Sequence, residues 1–209
     1  MKGKLAVLVT IIFLLPIAQN ARALCWGVGA IGGSGNFDAK AKPYFGPSLK
    51  TSGDFKSSGV LLLVDYSCDS AQPVSVRAGI AFTHADLESA DFTKSESLET
   101  ISFDAAIPFT LYDGSTLRFW LGPQFRMGHV AGTGSFWTRD VAATTVGLGV
   151  ESGMNIHLGK SVDLCVTAGV RGDMFNQAYM MYSSRGALEG SSTTAFATLN
   201  LLYRAGDGN

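Results

Sequence analysis

Residues 101–127, ISFDAAIPFTLYDGSTLRFWLGPQFRM, set Ile101, Phe103, Ala105, Ile107, Phe109 and Leu111 at every second position, turn at Asp113-Gly114, and resume with Leu117, Phe119, Leu121, Phe125 and Met127. Successive side chains of a strand point to opposite sides of the pleat, so a period of two reads as a strand with two unlike faces. The other face of this pair carries Asp104, Arg118, Gln124 and Arg126. Because odd residues are apolar on both sides of the turn, the loop must contain an odd number of residues. A three-residue loop ending at a left-handed Gly114 meets that condition. It predicts Phe109 opposite Leu117 and Asp104 opposite Gly122.

The same alternation recurs along the chain. Residues 59–68 oppose Val60, Leu62, Val64 and Tyr66 to Leu61, Leu63, Asp65 and Ser67, and residues 73–84 oppose Val74, Val76, Ala78, Ile80 and Phe82 to Ser75, Arg77, Gly79, Ala81 and Thr83. In 142–158 the apolar face is Val146, Leu148, Val150, Met154, Ile156 and Leu158, against glycines, Glu151, Asn155 and His157. Residues 162–174 set Val162, Leu164, Val166, Ala168 and Val170 against Asp163, Cys165, Thr167, Arg171 and Asp173. The last strand, 194–204, sets Ala195, Ala197, Leu199, Leu201 and Tyr203 against Phe196, Thr198, Asn200 and Arg204.

The N-terminus, MKGKLAVLVTIIFLLPIAQNARA, combines Lys2 and Lys4, an apolar run from Leu5 to Leu15 and a small-x-small ending at Ala21-Arg22-Ala23. This is the pattern of a secretory signal peptide over 1–23, and the run is too short for a comfortable bilayer span. The whole chain has 16 Lys and Arg against 17 Asp and Glu, so loss of Lys2, Lys4 and Arg22 leaves residues 24–209 with a net charge of about −4. Such a balance offers no basic surface for nucleic acid. No later apolar run is long enough for a membrane helix. If the exported domain lies in a membrane, it must do so as a closed barrel, the other structure that satisfies its backbone there.

The second faces favour that reading, because one side is aliphatic and aromatic while the other repeatedly carries Arg, Asp, Glu and Asn. The strands are also longer than those of globular sheets, and glycine recurs on the polar side, as a crowded small-barrel interior requires. Short turns at 69–72, 112–114 and 159–161 alternate with long connections at 85–98, 130–141 and 175–191, the asymmetry of periplasmic turns and outer loops. An even strand count needs one more strand before residue 59, for which CWGVGAIGGSG, 25–35, is the choice and YFGPSLKT, 44–51, the competitor. The first choice leaves a long first outer loop. The expected fold is an all-β, eight-stranded antiparallel up-and-down transmembrane β-barrel in the cell outer membrane, with a soluble β-sandwich as the alternative. Pro108 and Pro123 then fall inside a closed sheet and are expected to mark bulges.

All three cysteines fall toward the turn end. Cys25 with Cys68 is the pairing that neighbouring strands suggest, and three unpaired thiols, Cys165 among them, are the other reading. No spacing suggests a metal or cofactor.

Signal peptide, glycine-rich first strand (WGVGAIGGSG), alternating strands to the end and a last strand TLNLLY together resemble the small bacterial outer-membrane barrels of the opacity-protein and attachment-invasion type. RAGDGN follows Tyr203, where such families usually end on a terminal aromatic residue. The resemblance implies an adhesin, a complement-resistance factor or a structural protein.

The inward charges Arg77, Asp104, Arg118, Arg126, Glu151, Asp163, Arg171 and Asp173 are expected to pair into a plug, since single buried charges are costly. A narrow porin-like channel is the alternative. Binding is expected on outer loops that expose Phe136, Trp137 and Arg139, and Tyr179, Met180, Met181 and Tyr182. Those rings could equally rest at the membrane interface. A lipid-modifying enzyme is a further alternative, with His129 at the lipid-facing rim and Ser135 and Asp140 in the adjoining loop, but nothing in the sequence fixes their spacing and no catalytic residue is assigned. The expected protein is a monomer that contacts outer-membrane lipid and a host or surface macromolecule.

Overall fold

The computed structural model describes residues 24–42, 48–66, 73–90, 96–133, 141–176 and 187–204. The proposed signal peptide lies outside them. Alternating side chains draw the chain into nine segments among these residues: β1 (Cys25–Lys42), β2 (Leu49–Asp65), β3 (Arg77–Glu88), β4 (Glu96–Ala106), β5 (Phe109–Asp113), β6 (Leu117–Thr133), β7 (Val141–His157), β8 (Val162–Asn176) and β9 (Ala187–Arg204). Sequential neighbours pair antiparallel, β4 and β5 both pair with β6 as two parts of one crossing, and β9 pairs with β1. The sheet is therefore a closed barrel of eight staves.

Closure can be followed through the pairings Cys25–Asp65, Asp65–Arg77, Arg77–Ala106, Ala106–Gln124, Gln124–Gly149, Gly149–Arg171, Arg171–Thr194 and Thr194–Gly35. One circuit returns to β1 at Gly35, a stagger of 10 residues from Cys25. That stagger forces the strands to tilt, and eight strands enclose just enough room for side chains.

The predicted faces hold on the strands from residue 59 on, up to the bulge described below. Val60 and Leu62, Ile80 and Phe82, Phe119 and Leu121, and Leu148 and Val150 are exposed, whereas Leu61, Leu63, Asp65, Arg77, Arg118 and Arg126 are buried. The outside is thus a continuous apolar belt. A soluble protein rarely shows more than a few hundred Å² of contiguous apolar surface, so the belt requires hydrocarbon around it. Toward the turn end it finishes in rings, with Trp26 against Tyr203 at 5.7 Å and Tyr112 against Phe119 at 6.5 Å, as at a membrane interface.

Four expectations change. β1 begins at Cys25 as chosen, but it and β2 continue to Lys42 and from Leu49, so the long first outer loop is instead a tall hairpin. The competitor segment only contributes Leu49–Thr51 to the start of β2. The strands flanking Asp113-Gly114 pair Phe109 with Leu121 and Asp104 with Arg126, four residues from the predicted register. Here the turn is wider, with Gly114 N–H donating to Leu117 O at 2.9 Å, and the chain carries a bulge at Leu111. Leu111 and Tyr112 consequently both face outward. Neither proline marks a bulge. Pairing runs in unchanged register past Pro108 and through Pro123, and each proline simply withholds one donor while its carbonyl still accepts, Pro108 O from Ser75 N–H at 2.9 Å and Pro123 O from Ile107 N–H at 3.1 Å.

Above the belt the two faces exchange character. Ser34, Asn36, Asp54, Lys56, Asp86, Glu88 and Glu99 face outward there, while Phe37, Ala39, Leu87, Val130, Ala143 and Phe175 pack inside with Phe55 and Leu98 against them. Where water replaces lipid outside, the ordinary hydrophobic effect drives apolar groups inward. The strands thus carry the barrel beyond the membrane before the connections at the loop end begin.

Candidate functional site

Arg77, Arg118, Arg126, Glu151, Asp163, Arg171 and Asp173 are buried and Asp104 is half-buried, and these charges assemble into three groups along the barrel. Nearest the turns, Asp163 receives Arg204 at 2.6 Å and His157 Nδ1 at 2.9 Å, and Arg204 also reaches His157 Nδ1. Arg118 donates to Thr110 Oγ1 at 2.5 Å.

The next group centres on Arg77, whose guanidinium lies 4.4 Å over the Trp120 ring. It faces Asp65 at 3.2 Å and donates to Cys165 Sγ at 3.1 Å. Trp120 in turn donates its indole N–H to Asn155 Oδ1 at 3.3 Å. A ring this large fits because its neighbour across the ladder is Gly153, where a β-carbon would fall inside the Trp120 ring. Gly147 likewise makes room for Asp173.

The third group lies toward the loops. Arg171 binds Asp173 at 2.9 Å and packs its guanidinium 5.0 Å from the Phe196 ring. Arg126 donates to Ser102 Oγ at 2.7 Å and faces Asp104 at 3.6 Å, and Ser102 itself donates to Asp104. Glu151 lies on the inner wall of β7 opposite Gly122. Buried pairs of this kind recover little net energy after desolvation, but breaking one strands a charge at a cost of about 3–5 kcal/mol.

Among the described residues the interior keeps a cavity of about 30 Å³ beside Arg77, Asp104 and Glu151, and another of about 70 Å³ between Arg126, Arg171 and the Phe37–Phe175 cluster. Each has room for no more than a few waters. Charged side chains and rings fill the space between them.

Asp65 and Arg204 complete two of these groups, and Gln124, Asn155 and Asn200 line them, yet the charged residues read from sequence included none of the five. Their signal was present, since all five occupy inward positions of recognised strands. Phe37 and Phe55 fell in what reads as a loop. Cys25 is disulfide-bonded and Cys165 is free and buried, while Cys68 lies outside the described residues. So do the proposed loop contacts Phe136, Trp137, Arg139, Tyr179, Met180, Met181 and Tyr182. His129 stands on the outer face of β6 opposite Ile101, and Ser135 and Asp140 lie outside the described residues.

No protein-family model matches the chain, and no curated protein is significantly similar to it. Among solved structures, the outer membrane protein OprG from Pseudomonas aeruginosa superposes with a TM-score of 0.59 at 9% identity, over 87% of this chain and 95% of that one. The chain folds as an outer-membrane β-barrel. Neisserial surface protein A matches at 18% identity, TM-score 0.35, over 81% and 96% of the two chains. Ail, the attachment invasion locus protein of Yersinia pestis, solved with the heparin analogue sucrose octasulfate, matches at 13% identity, TM-score 0.42, over 85% and 98%. The barrel fold expected from the sequence is thus supported by the superposition on OprG.

Proposed function

We propose that the protein is a closed, non-conducting barrel of the outer membrane that holds its outer loops away from the lipid surface, where they contact a host or surface macromolecule. The observation that carries this reading is the inversion of the faces above the belt. A barrel that only anchored itself would have no need to extend β1, β2, β6, β7 and β9 to 17 or 18 residues and to build a second, apolar interior outside the membrane. A tilted crossing takes about 9–11 residues. The surplus forms a rigid pedestal, and rigid scaffolds carrying loops are the usual setting for binding. Paired charges, ring stacking and the apolar cluster at the loop end support a sealed lumen.

The test has two arms. Planar bilayers containing the refolded protein should stay silent, and adhesion of expressing cells to immobilised extracellular-matrix proteins should fall when the segments 134–140 and 177–186 are replaced by short Gly-Ser linkers. Stepwise conductance, or adhesion unchanged by both replacements, would overturn the proposal.

A further inference from the structure

On the outer wall the belt ends in a groove of about 430 Å³ that spans β2, β3, β4 and β6. Two rows of outward side chains build it. In the lower row Val60 lies opposite Phe82, Phe82 opposite Ile101 and Ile101 opposite His129. In the upper row Ser58 lies opposite His84, His84 opposite Glu99 and Glu99 opposite Ala131. Val60, Phe82 and Ile101 are 53%, 45% and 46% exposed, and they form the top of the surface that faces hydrocarbon. Ser58, His84, Glu99 and His129 are exposed above or beside them, where the outside turns polar, and Ala131 closes the upper row with only a methyl group.

A groove that is apolar below and polar above, set at the edge of the bilayer, suits an occupant whose tail lies in hydrocarbon and whose head lies in water. Its volume falls within the about 300–1,000 Å³ of small-molecule sites. The polar groups select the head. No lysine or arginine lines the groove, and Lys56, one row above, faces Glu88 at 3.6 Å. Phosphate is held by such cations, and here it would meet the carboxylates of Glu99 and of Asp86, whose Oδ1 lies 3.3 Å from His84 Nε2. A sugar fits the same groups. Each sugar hydroxyl both donates and accepts, so it can donate to Glu99 and exchange hydrogen bonds of either sense with the Ser58 hydroxyl and the His129 imidazole.

We propose that this groove binds a glycolipid of the outer leaflet through uncharged hydroxyls of its sugar headgroup. Glu99 and His129 hold the sugar, and one acyl chain runs along Val60, Phe82 and Ile101.

The full chain, refolded in a detergent without sugar groups, is titrated with monoglucosyl diacylglycerol and, in separate arms, with phosphatidylglycerol and phosphatidylethanolamine carrying the same acyl chains. Native mass spectrometry counts the lipids retained. One glucosyl lipid per barrel is expected, bound roughly fivefold tighter than either phospholipid. The double variant Glu99→Ala, His129→Ala should lose that preference, and Ala131→Phe, which fills the groove, should lose the bound lipid. Val170→Phe, on β8 at the opposite side of the belt, should keep both. The gel shift between unboiled and boiled protein confirms that each variant is folded. A phospholipid bound as tightly as the glucosyl lipid, no retained glucosyl lipid, a preference unchanged in the double variant, or binding unchanged in Ala131→Phe would each overturn the site.

Discussion

Within the lipid belt the barrel is apolar outside and ionic inside; above it the barrel is polar outside and apolar inside. On β6 the change takes one step. Met127 faces outward at 45% exposure in the belt, whereas Val130 is the buried apolar residue three positions on, and His129 has taken the outward place. The same phase shift separates Phe82 from Leu87 on β3, Ile101 from Leu98 on β4 and Ala30 from Phe37 on β1. The backbone is continuous through each of these points. What changes is the solvent outside, and the side-chain pattern follows the solvent rather than the sheet.

Substitutions can break this comparison. The largest effects should come from charges introduced or stranded inside. Val130→Asp buries an unpaired carboxylate among Phe37, Leu87 and Phe175 and should cost about 3–5 kcal/mol, while His129→Asp next to it should be nearly neutral. Urea unfolding of the protein refolded in lipid vesicles measures both. If the two behaved alike, the inversion above the belt would not exist. Arg77→Met leaves Asp65 without its guanidinium and is expected to cost a similar amount, with part of it recovered in Arg77→Met, Asp65→Leu.

Leu148, 69% exposed on β7, faces the belt. Replacing it with Arg should cost about 2–4 kcal/mol in vesicles if it sits near the bilayer midplane. A negligible loss there would mean that lipid does not surround this face. Gly153→Ala presses a β-carbon into Trp120 and should cost about 1–3 kcal/mol, with a change in tryptophan emission as the ring is displaced. The smallest effect belongs to the pedestal exterior, where Lys56 faces Glu88 at 3.6 Å with both side chains largely in water. Lys56→Ala should alter stability by less than about 1 kcal/mol.

Much of the membrane-embedded half was legible because its pattern has one period and one sense. From Val60 to Tyr203 the recognised strands kept their predicted faces, apart from the bulge at Leu111. The loop-end half was hidden for a reason of the same kind. A shift of phase reads as the end of a strand, so NFDAKAK and SGDFKSS seemed to be loop although they are paired residue by residue in β1 and β2. The register at Asp113-Gly114 was mistaken because parity admits any loop differing by two residues. The four-residue difference leaves the faces below the bulge at Leu111 unchanged, so no hydrophobic signal could expose it.

Period-two patterning and the lack of a later helix-length apolar run determined, from sequence alone, that the chain forms strands with one lipid-facing side and must close its sheet. Which carboxylate meets which guanidinium, and how far the barrel rises above the bilayer, were decided only in the folded sheet. Those contacts join residues from strands far apart in sequence, set by stagger around the cylinder, and alternation along a single strand carries no information about that stagger.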